Sequence, residues 1–407
     1  MTATLPSTSA PDRIWTIGTP RLLAGLEHAT RLDHAHHLVT HGGRPDVTLD
    51  RLLELLDGAR LTGRGGAGFP LAAKLRALHG GHGEVVVNGS ESEPASWKDR
   101  TLLRRTPHLV LDGALSVAAA LGTRSVTVAV HDAAAARSTE AALRERPDAR
   151  RVKVVRTGGA FVAGEARALV RGLRGGPALP PGRRTPPTEH GALVANAETF
   201  AQLAVLLRLG ARGYADTGTS AEPGTTLLTV SGAVSRPGVV EVPLGTPLEI
   251  VVRAAGAERP QAIVLGGYHG AWLTPGADVA IARNGPGPSV GAGIVLVVDD
   301  ATCALGELAR VSGWLAEQSA RQCGPCRFGL PALAADVAAM AHGHPAATAH
   351  AARHLSLIAG RGACGHPDGA ARFVDTGLTA LTDELARHAA GGCGRPVLGQ
   401  LPIGGTR

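Results

Sequence analysis

The stretch G-R-G-G-A-G-F-P at residues 63–70 places four glycines within eight positions, and Lys74 follows shortly after it. A backbone with so few side chains lets a flat or phosphorylated ligand approach main-chain N–H groups closely. The stretch is not the dinucleotide loop G-x-G-x-x-G placed after a strand, and no G-K-[ST] ends it as in a Walker loop. It therefore indicates a site for an anionic ligand, with a flexible turn between two helices as the alternative.

The region around this loop, residues 51–210, alternates between short apolar runs and helical patterns. Strands are predicted at 84–88, 125–130 and 151–155, and a helix at 108–121. Such alternation predicts a mostly parallel sheet with helices on both faces. Because ligands of these sheets bind beyond the carboxyl ends of the strands, polar residues that follow a strand are candidate site residues.

One polar segment of this kind is V-V-N-G-S-E-S-E-P at residues 86–94. Asn88 could hydrogen-bond to a ring edge, and Glu91 and Glu93 could hold sugar hydroxyls or an amide. The alternative is a solvated loop in which Glu93 caps the next helix.

Two further segments extend the predicted site. T-G-G-A-F-V-A-G-E-A-R-A-L at residues 157–169 follows another strand and would direct Glu165 into the same crevice. A-N-A-E-T at residues 195–199 opens a predicted helix. Asn196 is a natural N-cap there, although the free N–H groups of a helix start also suit a phosphate.

The character of the chain changes after the α/β region. Two predicted strands at 226–234 and 238–242, joined by an S-R-P-G turn, indicate a hairpin within a small α+β module at residues 224–275. The Gly- and Pro-rich residues 266–288 are predicted to form a loop. Strand patterns are absent from 304–390, where four helical stretches predict a bundle.

Five cysteines lie in the second half of the chain: Cys303, Cys323, Cys326, Cys364 and Cys393. An odd number in a chain without a secretion signal argues against a disulfide framework. The C-x-x-C pair Cys323 and Cys326 would present two thiolates to one metal centre, and Cys364 lies further along the predicted bundle. An iron–sulfur cluster and a zinc ion both remain open on this chemistry.

Composition narrows the class of protein. A net charge of +7 with only 3% aromatic residues and no dense basic run favours a spread-out charged surface over a nucleic-acid interface. No apolar run is long enough to insert into a bilayer, and the start of the chain lacks the layout of a secretion signal, so a cytoplasmic protein is expected. Residues 1–50 are predicted to form a His-rich N-terminal extension. The spacing of His34, His37 and His41 would let them share one helix face, for which a solvated face is expected, with a metal site as the alternative.

In their order along the chain, these motifs resemble the NADH-oxidising flavoprotein subunit of respiratory complex I, a family that includes flavin subunits of NAD-linked hydrogenases and formate dehydrogenases. The resemblance covers residues 52–379, and 63–70 match the family motif at every position. It implies an α/β FMN-binding domain at 51–210, an SLBB-type module with a ubiquitin-like β-grasp fold at 224–275, and a helical bundle with a [4Fe–4S] site at 304–390. NADH would give a hydride to FMN, and single electrons would leave through the cluster.

The resemblance also implies roles for individual residues. The FMN site would consist of Gly63, Arg64, Gly65, Gly66, Gly68, Lys74, Asn88, Glu91, Asn196 and Thr199. The phosphate would lie at Lys74, Asn196 and Thr199. The NADH site would consist of Phe69, Glu93 and Glu165, with the two carboxylates as catalytic residues. The cluster would be ligated by Cys323, Cys326 and Cys364.

The chain departs from the family pattern on both sides of the flavin. On the NADH side the departures are Ser90 for Asp, Phe161 for Tyr, Ala166 for Glu, Arg167 for Thr, Ala195 for Asn, and Ala77 and Thr188 at positions of stacking aromatics. On the cluster side Ala320 stands at the first cysteine. The candidate fourth ligands are Cys303, Cys393 and His366, and a four-iron cluster, a three-iron cluster and no cluster all remain open.

Three functions are therefore considered, in this order. The first is an NADH dehydrogenase-like enzyme that passes electrons to a [2Fe–2S] or ferredoxin-like protein, either in the cytoplasm or in a larger redox complex at the inner face of the membrane. The second is a flavin and iron–sulfur carrier that a ferredoxin-like partner reduces and that no longer oxidises NADH. The third is a non-enzymatic module with an empty flavin site and a structural zinc.

Overall fold

A computed structural model of the chain describes residues 13–78, 83–182 and 186–404. Residues 1–12 of the predicted N-terminal extension lie outside this description. The strands are β1 (Ile14–Thr16), β2 (Glu84–Gly89), β3 (Val126–Val130), β4 (Lys153–Arg156), β5 (Ala192–Asn196), β6 (Thr225–Gly232), β7 (Gly238–Pro243), β8 (Pro260–Leu265), β9 (Ala271–Leu273) and β10 (Ile294–Asp299).

The helices alternate with these strands at first and then follow them. They are α1 (His34–His41), α2 (Leu49–Gly58), α3 (Leu71–Arg76), α4 (Lys98–Arg105), α5 (Pro107–Ala120), α6 (Ala133–Glu145), α7 (Ala166–Leu173), α8 (Ala197–Ala215), α9 (Leu248–Ala254), α10 (Ala304–Glu317), α11 (Leu330–Ala341), α12 (Ala347–Ile358), α13 (His366–Ala380) and α14 (Thr382–Ala389). Within the described ranges, no helix combines the length and the apolar character needed to cross a bilayer.

The first sheet has four parallel strands in the order β4-β3-β2-β5. In its central strand β2, Val85 and Val87 face the larger core, whereas Val86 faces a second core formed with Leu169 and Val170 of α7. Helices on both faces explain why β2 is a continuous apolar run and does not alternate. The predicted doubly covered parallel sheet is confirmed.

The second sheet has six strands in the order β1-β7-β6-β10-β8-β9. The predicted hairpin forms, with β6 antiparallel to β7. Strand β10, in the middle of this six-stranded sheet, packs on both faces. Val295 and Val297 face the core that includes α9, and Leu296 faces the core that includes α10. The small module is therefore wedged between its own helix and the helical bundle.

One prediction for this sheet was wrong, and one of its strands was not predicted. The predicted loop 266–288 contains β9, which pairs with β8. The predicted N-terminal extension supplies the edge strand β1, with Ile14 opposite Val239. Both strands have three residues and depend on partners elsewhere in the chain, so local periodicity carries no signal for them.

The His-rich helix α1 also differs from expectation, because its histidine face is buried. His37 is covered by α5, and its Nε2 lies 2.8 Å from Asp112 Oδ2. His41 is buried as well, and burial lowers its pKa to about 3. The solvated face expected for His37 and His41 is wrong, since spacing shows which side chains share a face and not which neighbour covers it.

Candidate functional site

A cavity of about 780 Å³ opens at the carboxyl ends of β2 and β5. Its wall combines the glycine-rich loop 63–70, the segment after β2, the segment before α7, the loop after β8 and the start of α13. All three parts of the chain thus meet at one site, in the position where parallel sheets bind ligands.

The glycine-rich loop is closed at its base and open toward the cavity. Gly63 N–H donates to the Phe69 carbonyl at 2.9 Å, so the loop returns on itself. A Cβ atom added at Gly65 or Gly66 would meet no protein atom within 4 Å. Since both glycines line the cavity, the space beside them is available to a ligand.

Arg64, which was predicted to line the flavin, has its side chain buried away from the cavity. The side chain is only 2% exposed, and Nη2 donates to Tyr214 Oη at 3.2 Å. The Arg64 backbone N–H donates to Thr199 Oγ1 at 2.8 Å. Arg64 therefore ties the loop to α8.

Lys74 projects a cation into the cavity from α3. Its Nζ donates to the Val194 carbonyl at 2.9 Å, and no carboxylate among the described residues pairs with it. Burial lowers the pKa of Lys74 because no anion offsets the lost hydration. An anionic ligand would supply the missing charge.

Asn196 and Thr199 stand at the first turn of α8, beside Lys74 in the cavity wall. Asn196 holds the N-cap position, yet its side chain makes no capping hydrogen bond. Its Oδ1 accepts from the Thr199 hydroxyl, and its Nδ2 donates to Asp99 Oδ2 at 3.3 Å. The N-cap role expected as the alternative for Asn196 is not seen, and Asp99 instead accepts from the Glu198 N–H at 2.7 Å.

Beneath this helix start lies a buried charge network that the motifs did not reveal. Lys98 Nζ lies 2.6 Å from Asp99 Oδ2 and 3.1 Å from Glu198 Oε2. Arg283 approaches the same Glu198 oxygen at 3.9 Å. Burial raises the pKa of Asp99 to about 6. The members lie in three distant parts of the sequence, so no local pattern could have identified them.

In the segment after β2, the side chains of Asn88 and Glu91 form hydrogen bonds within the protein. Asn88 Nδ2 donates to the Gly164 carbonyl at 2.8 Å, which joins this segment to the one before α7. Glu91 accepts from Arg100 Nε at 3.1 Å and from the Asp99 and Arg100 N–H groups. Although burial opposes its charge, Arg100 and Lys98 hold the pKa of Glu91 below the ordinary value.

Glu93 and Glu165, the two candidate catalytic carboxylates, occupy different electrostatic environments in the same wall. Glu93 accepts a hydrogen bond from the Tyr268 N–H at 3.2 Å, and burial raises its pKa to about 8. Glu165 caps α7 through the N–H groups of Arg167 and Ala168 and pairs with Arg167 Nε at 2.7 Å. Burial thus raises the pKa of Glu93 above neutral pH, whereas Glu165 is engaged by an arginine and by the start of a helix.

The remaining NADH-side residues differ in whether they line the cavity, which Phe69 and Ser90 do. Phe69 lines the cavity and is 52% exposed. Ala77 lies at the end of α3 and Thr188 in a short helix before β5, and neither lines the cavity. Ser90, which stands for an aspartate, forms a hydrogen bond with Thr157 Oγ1 at 2.7 Å.

Three thiols gather where the cavity meets the helical bundle. Cys364 lines the cavity, and Cys326 lies in a short π-helix (Pro325–Gly329) after Cys323. Burial and then the neighbouring Cys323 and Cys364 thiols raise the pKa of Cys326 to about 12. Mutual proximity of three thiols fits the donor set of an iron–sulfur cluster. Ala320, at the fourth position, packs against the apolar core.

None of the three candidate fourth ligands is free to complete this set. Cys303 and Cys393 lie instead with Glu384 and His388. His366 is buried with Nδ1 lying 3.1 Å from His269 Nε2 and Nε2 lying 3.0 Å from the Leu315 carbonyl. His269, which no motif indicated, thus lies with His366 in the cavity wall beside Cys364.

Comparison with known proteins places the three regions in one class. The family described as the Nuo51 FMN-binding domain matches residues 56–205. The SLBB domain matches 227–263, and the NADH-ubiquinone oxidoreductase-F iron-sulfur binding region matches 303–388. Fold and site therefore define an electron-transfer flavoprotein with an FMN domain, an SLBB module and a 4Fe-4S-binding region.

Individual relatives agree with this class. The chain is 30% identical over 314 residues to the F subunit of NADH-quinone oxidoreductase from Rickettsia bellii (strain OSU 85-389), a match that covers 68% of this chain and 75% of the relative. It is 29% identical over 320 residues to the second F subunit of NADH-quinone oxidoreductase from Rhizobium meliloti (strain 1021), with 70% and 75% covered. The chain belongs to the family of NADH-quinone oxidoreductase F subunits.

A solved structure supports the same assignment. The NAD+-reducing [NiFe]-hydrogenase in its H2-reduced state matches with a TM-score of 0.78 at 27% identity, over 84% of this chain. The chain spans 63% of the length of that hydrogenase chain. The predicted fold class and the expectation of an NADH dehydrogenase-like oxidoreductase with FMN and a 4Fe-4S region are confirmed.

Proposed function

We propose that the cavity binds FMN with its phosphate against Lys74 and the first turn of α8, and with its ring beside Gly65 and Gly66. The observation that carries this placement is the Lys74 ammonium, which projects into the cavity without a carboxylate partner among the described residues. A phosphate there would form a charge-assisted hydrogen bond with Lys74 Nζ and with polar groups of Asn196 or Thr199.

NADH then occupies the outer part of the cavity, between Phe69 and the two carboxylates. At neutral pH Glu93 is largely protonated, so its carboxyl group both donates and accepts hydrogen bonds, as the carboxamide of a nicotinamide ring requires. Glu165 offers a carboxylate with which Arg167 already pairs. FMN supplies the conversion between a two-electron donor and one-electron acceptors.

An iron–sulfur cluster held by the three thiols would pass electrons to a protein partner of the [2Fe–2S] or ferredoxin-like type, within a multi-subunit complex. Cys364 lines the flavin cavity, so a group held there would lie next to the flavin. Cys326 shares its short helix with Phe328, which is 69% exposed. The thiol group therefore connects the cavity with the protein surface, as an exit path requires.

A second function, a flavin carrier that NADH does not reduce, is favoured by one contact. Arg167 stands where the family pattern has Thr and occupies one oxygen of Glu165. This pairing reduces what Glu165 offers to a dinucleotide. Aromatic side chains that could stack on the adenine of NADH are also few, because Phe69 is the single exposed aromatic side chain among the described residues that line the cavity.

An anaerobic titration separates these functions. Purified full-length protein is mixed with NADH while the absorbance of oxidised flavin is recorded, and reduced ferredoxin is used in a parallel sample. Bleaching of the flavin by NADH supports the first function, since the hydride of NADH reduces the flavin. Flavin that only ferredoxin reduces selects the second function, and a protein that releases no flavin on denaturation excludes both.

A further inference from the structure

Four potential metal ligands converge at the end of the helical bundle, outside the three-thiol group. They are Cys303, Glu384, His388 and Cys393, and one ligand atom from each lies within 4.8 Å of the others. Cys303 is the N-cap of α10, Glu384 and His388 lie one turn apart on α14, and Cys393 follows α14. The first three are buried and Cys393 is half-buried. Residues separated by about 90 positions in the sequence thus present their side chains to one point.

The histidine of this cluster is oriented by a second contact. His388 Nδ1 lies 2.7 Å from the Ala341 carbonyl, which fixes Nδ1 as the protonated nitrogen. The lone pair of Nε2 then faces the cluster, where it lies 3.2 Å from Cys303 Sγ. A histidine held through its far nitrogen by a carbonyl is the usual arrangement of a metal-ligating imidazole.

One oxygen of the carboxylate in this cluster has no hydrogen-bond partner among the described residues. Glu384 Oε2 pairs with Arg387 at 2.8 Å and with Arg395. Glu384 Oε1 is buried, has no hydrogen-bond partner in the described part of the chain, and lies 3.7 Å from His388 Nε2. The side chain is only 2% exposed. A buried carboxylate oxygen without a partner is costly, so its position calls for a cation.

We propose that Cys303, His388, Cys393 and Glu384 Oε1 bind a zinc ion as a structural site. Two thiolates, an imidazole and a carboxylate form a four-ligand set of the chemistry that zinc prefers, and four protein ligands leave no open position for catalysis. At zinc bond lengths of about 2.0–2.3 Å, tetrahedral ligand atoms lie roughly 3.5 Å apart, so the ligands need to move inward by about 1 Å. Arg387 and Arg395 offset the excess negative charge of the three anionic ligands.

The site would anchor the C-terminal tail, residues 391–404, to the bundle. Next to Cys393, the Pro396 carbonyl accepts from the Cys303 N–H at 2.7 Å. Further along, the Pro402 carbonyl accepts from Tyr268 Oη at 2.5 Å, and the Tyr268 N–H donates to Glu93. The zinc site therefore lies at the start of a segment that contacts Tyr268, and Tyr268 in turn contacts Glu93 in the cavity wall. This inference does not depend on the proposed electron route.

Metal analysis of the full-length protein tests the proposal. After exchange against a mild chelator and reloading with zinc, we expect about one tightly bound zinc per chain. Replacement by cobalt(II) gives the visible absorbance of a tetrahedral thiolate site. Cys393→Ser lowers zinc affinity by at least about tenfold, as loss of a ligand should. Glu384→Gln, which keeps the shape of the side chain, lowers it as well.

The matched control is Cys323→Ser, which removes a thiol of the other group and should leave zinc affinity unchanged. Circular dichroism and FMN content identify a variant that fails to fold. The zinc content of the wild type tests the proposal even if a variant does not fold. Absence of tightly bound zinc in the wild type overturns the proposal. Zinc that Cys323→Ser abolishes and Cys393→Ser retains overturns it too, because the metal then lies at the three-thiol group.

Discussion

Arg167 Nε donates to Glu165 Oε1 at 2.7 Å, across the first turn of the same helix. Glu165 also accepts the N–H groups that begin α7, so both of its oxygens are engaged. The family pattern places a threonine where this chain has Arg167. Arg167 thus pairs with a carboxylate of the cavity wall.

The variant Arg167→Thr should release Glu165 Oε1 for a dinucleotide. A recovered hydrogen bond to a charged group is worth about 1.5–3 kcal/mol, so we expect the KM for NADH to fall roughly tenfold or more while FMN content stays constant. Steady-state oxidation of NADH with an artificial acceptor measures this change. An unchanged KM would show that Glu165 does not contact the nucleotide.

Lys74→Met should weaken FMN binding by about 10- to 100-fold, since it removes a charge-assisted hydrogen bond to the phosphate. Fluorescence titration of flavin-free protein with FMN and with riboflavin measures the effect, and the loss should appear only for FMN. Lys153→Met is the matched control, because Lys153 is exposed on β4. Equal losses for both flavins would place the phosphate elsewhere.

Gly66→Val should reduce flavin occupancy while leaving the flavin-free protein as stable as the wild type. The added side chain would project into space that no protein atom within 4 Å of the new Cβ occupies. Thermal unfolding of the flavin-free protein measures its stability, and flavin content after reloading measures the occupancy of the site. Reduced stability without FMN would mean that the loop is packed and not open.

The raised pKa of Glu93 predicts a pH dependence of stability. Because Glu93 titrates near 8 when folded and near its ordinary value of 4.5 when unfolded, the folded state binds the extra proton between these values. Stability should therefore fall as pH rises through this window, by at most about 1.4 kcal/mol per pH unit. Water that reaches the cavity will keep the slope below this limit.

Denaturant unfolding of wild type and Glu93→Gln between pH 5 and pH 9 tests whether stability falls as the pH rises. The amide cannot ionise, so the stability of the variant relative to the wild type should increase with pH. A constant difference across this range would show that the Glu93 carboxylate is hydrated in the folded protein. Measurements on flavin-free protein avoid a contribution from ligand binding.

Ala320→Cys should complete the thiol set. Four thiolates hold a [4Fe–4S] cluster, whereas three leave one iron without a protein ligand. We expect the variant to retain about four iron and four sulfide per chain after anaerobic reconstitution and desalting, and the wild type to retain less. Equal contents in both proteins would show that residue 320 is too far from the cluster to act as a ligand.

Local patterns and the resemblance predicted much of this molecule. The parallel sheet followed from the apolar run of β2, and the hairpin of β6 and β7 followed from its turn, because these elements are specified by neighbouring residues. The cavity residues Lys74 and Asn196 followed from motif positions. The edge strand β1 and the burial of His37 did not, because each depends on a partner more than 70 positions away.

Local sequence was enough to predict the parallel sheet, the hairpin and the glycine-rich ligand site, because strand periodicity, turn residues and motif spacing are properties of neighbouring residues. FMN as the ligand followed only from the resemblance of the ordered motifs to a known family. The charge state of the site, in contrast, is set by tertiary packing. Glu93 and Glu165 are the same residue type, yet burial raises the pKa of Glu93 to about 8, whereas Glu165 pairs with an adjacent arginine. Packing likewise brings Cys303 to Cys393 and His388, since no spacing along the chain joins the start of α10 to the tail.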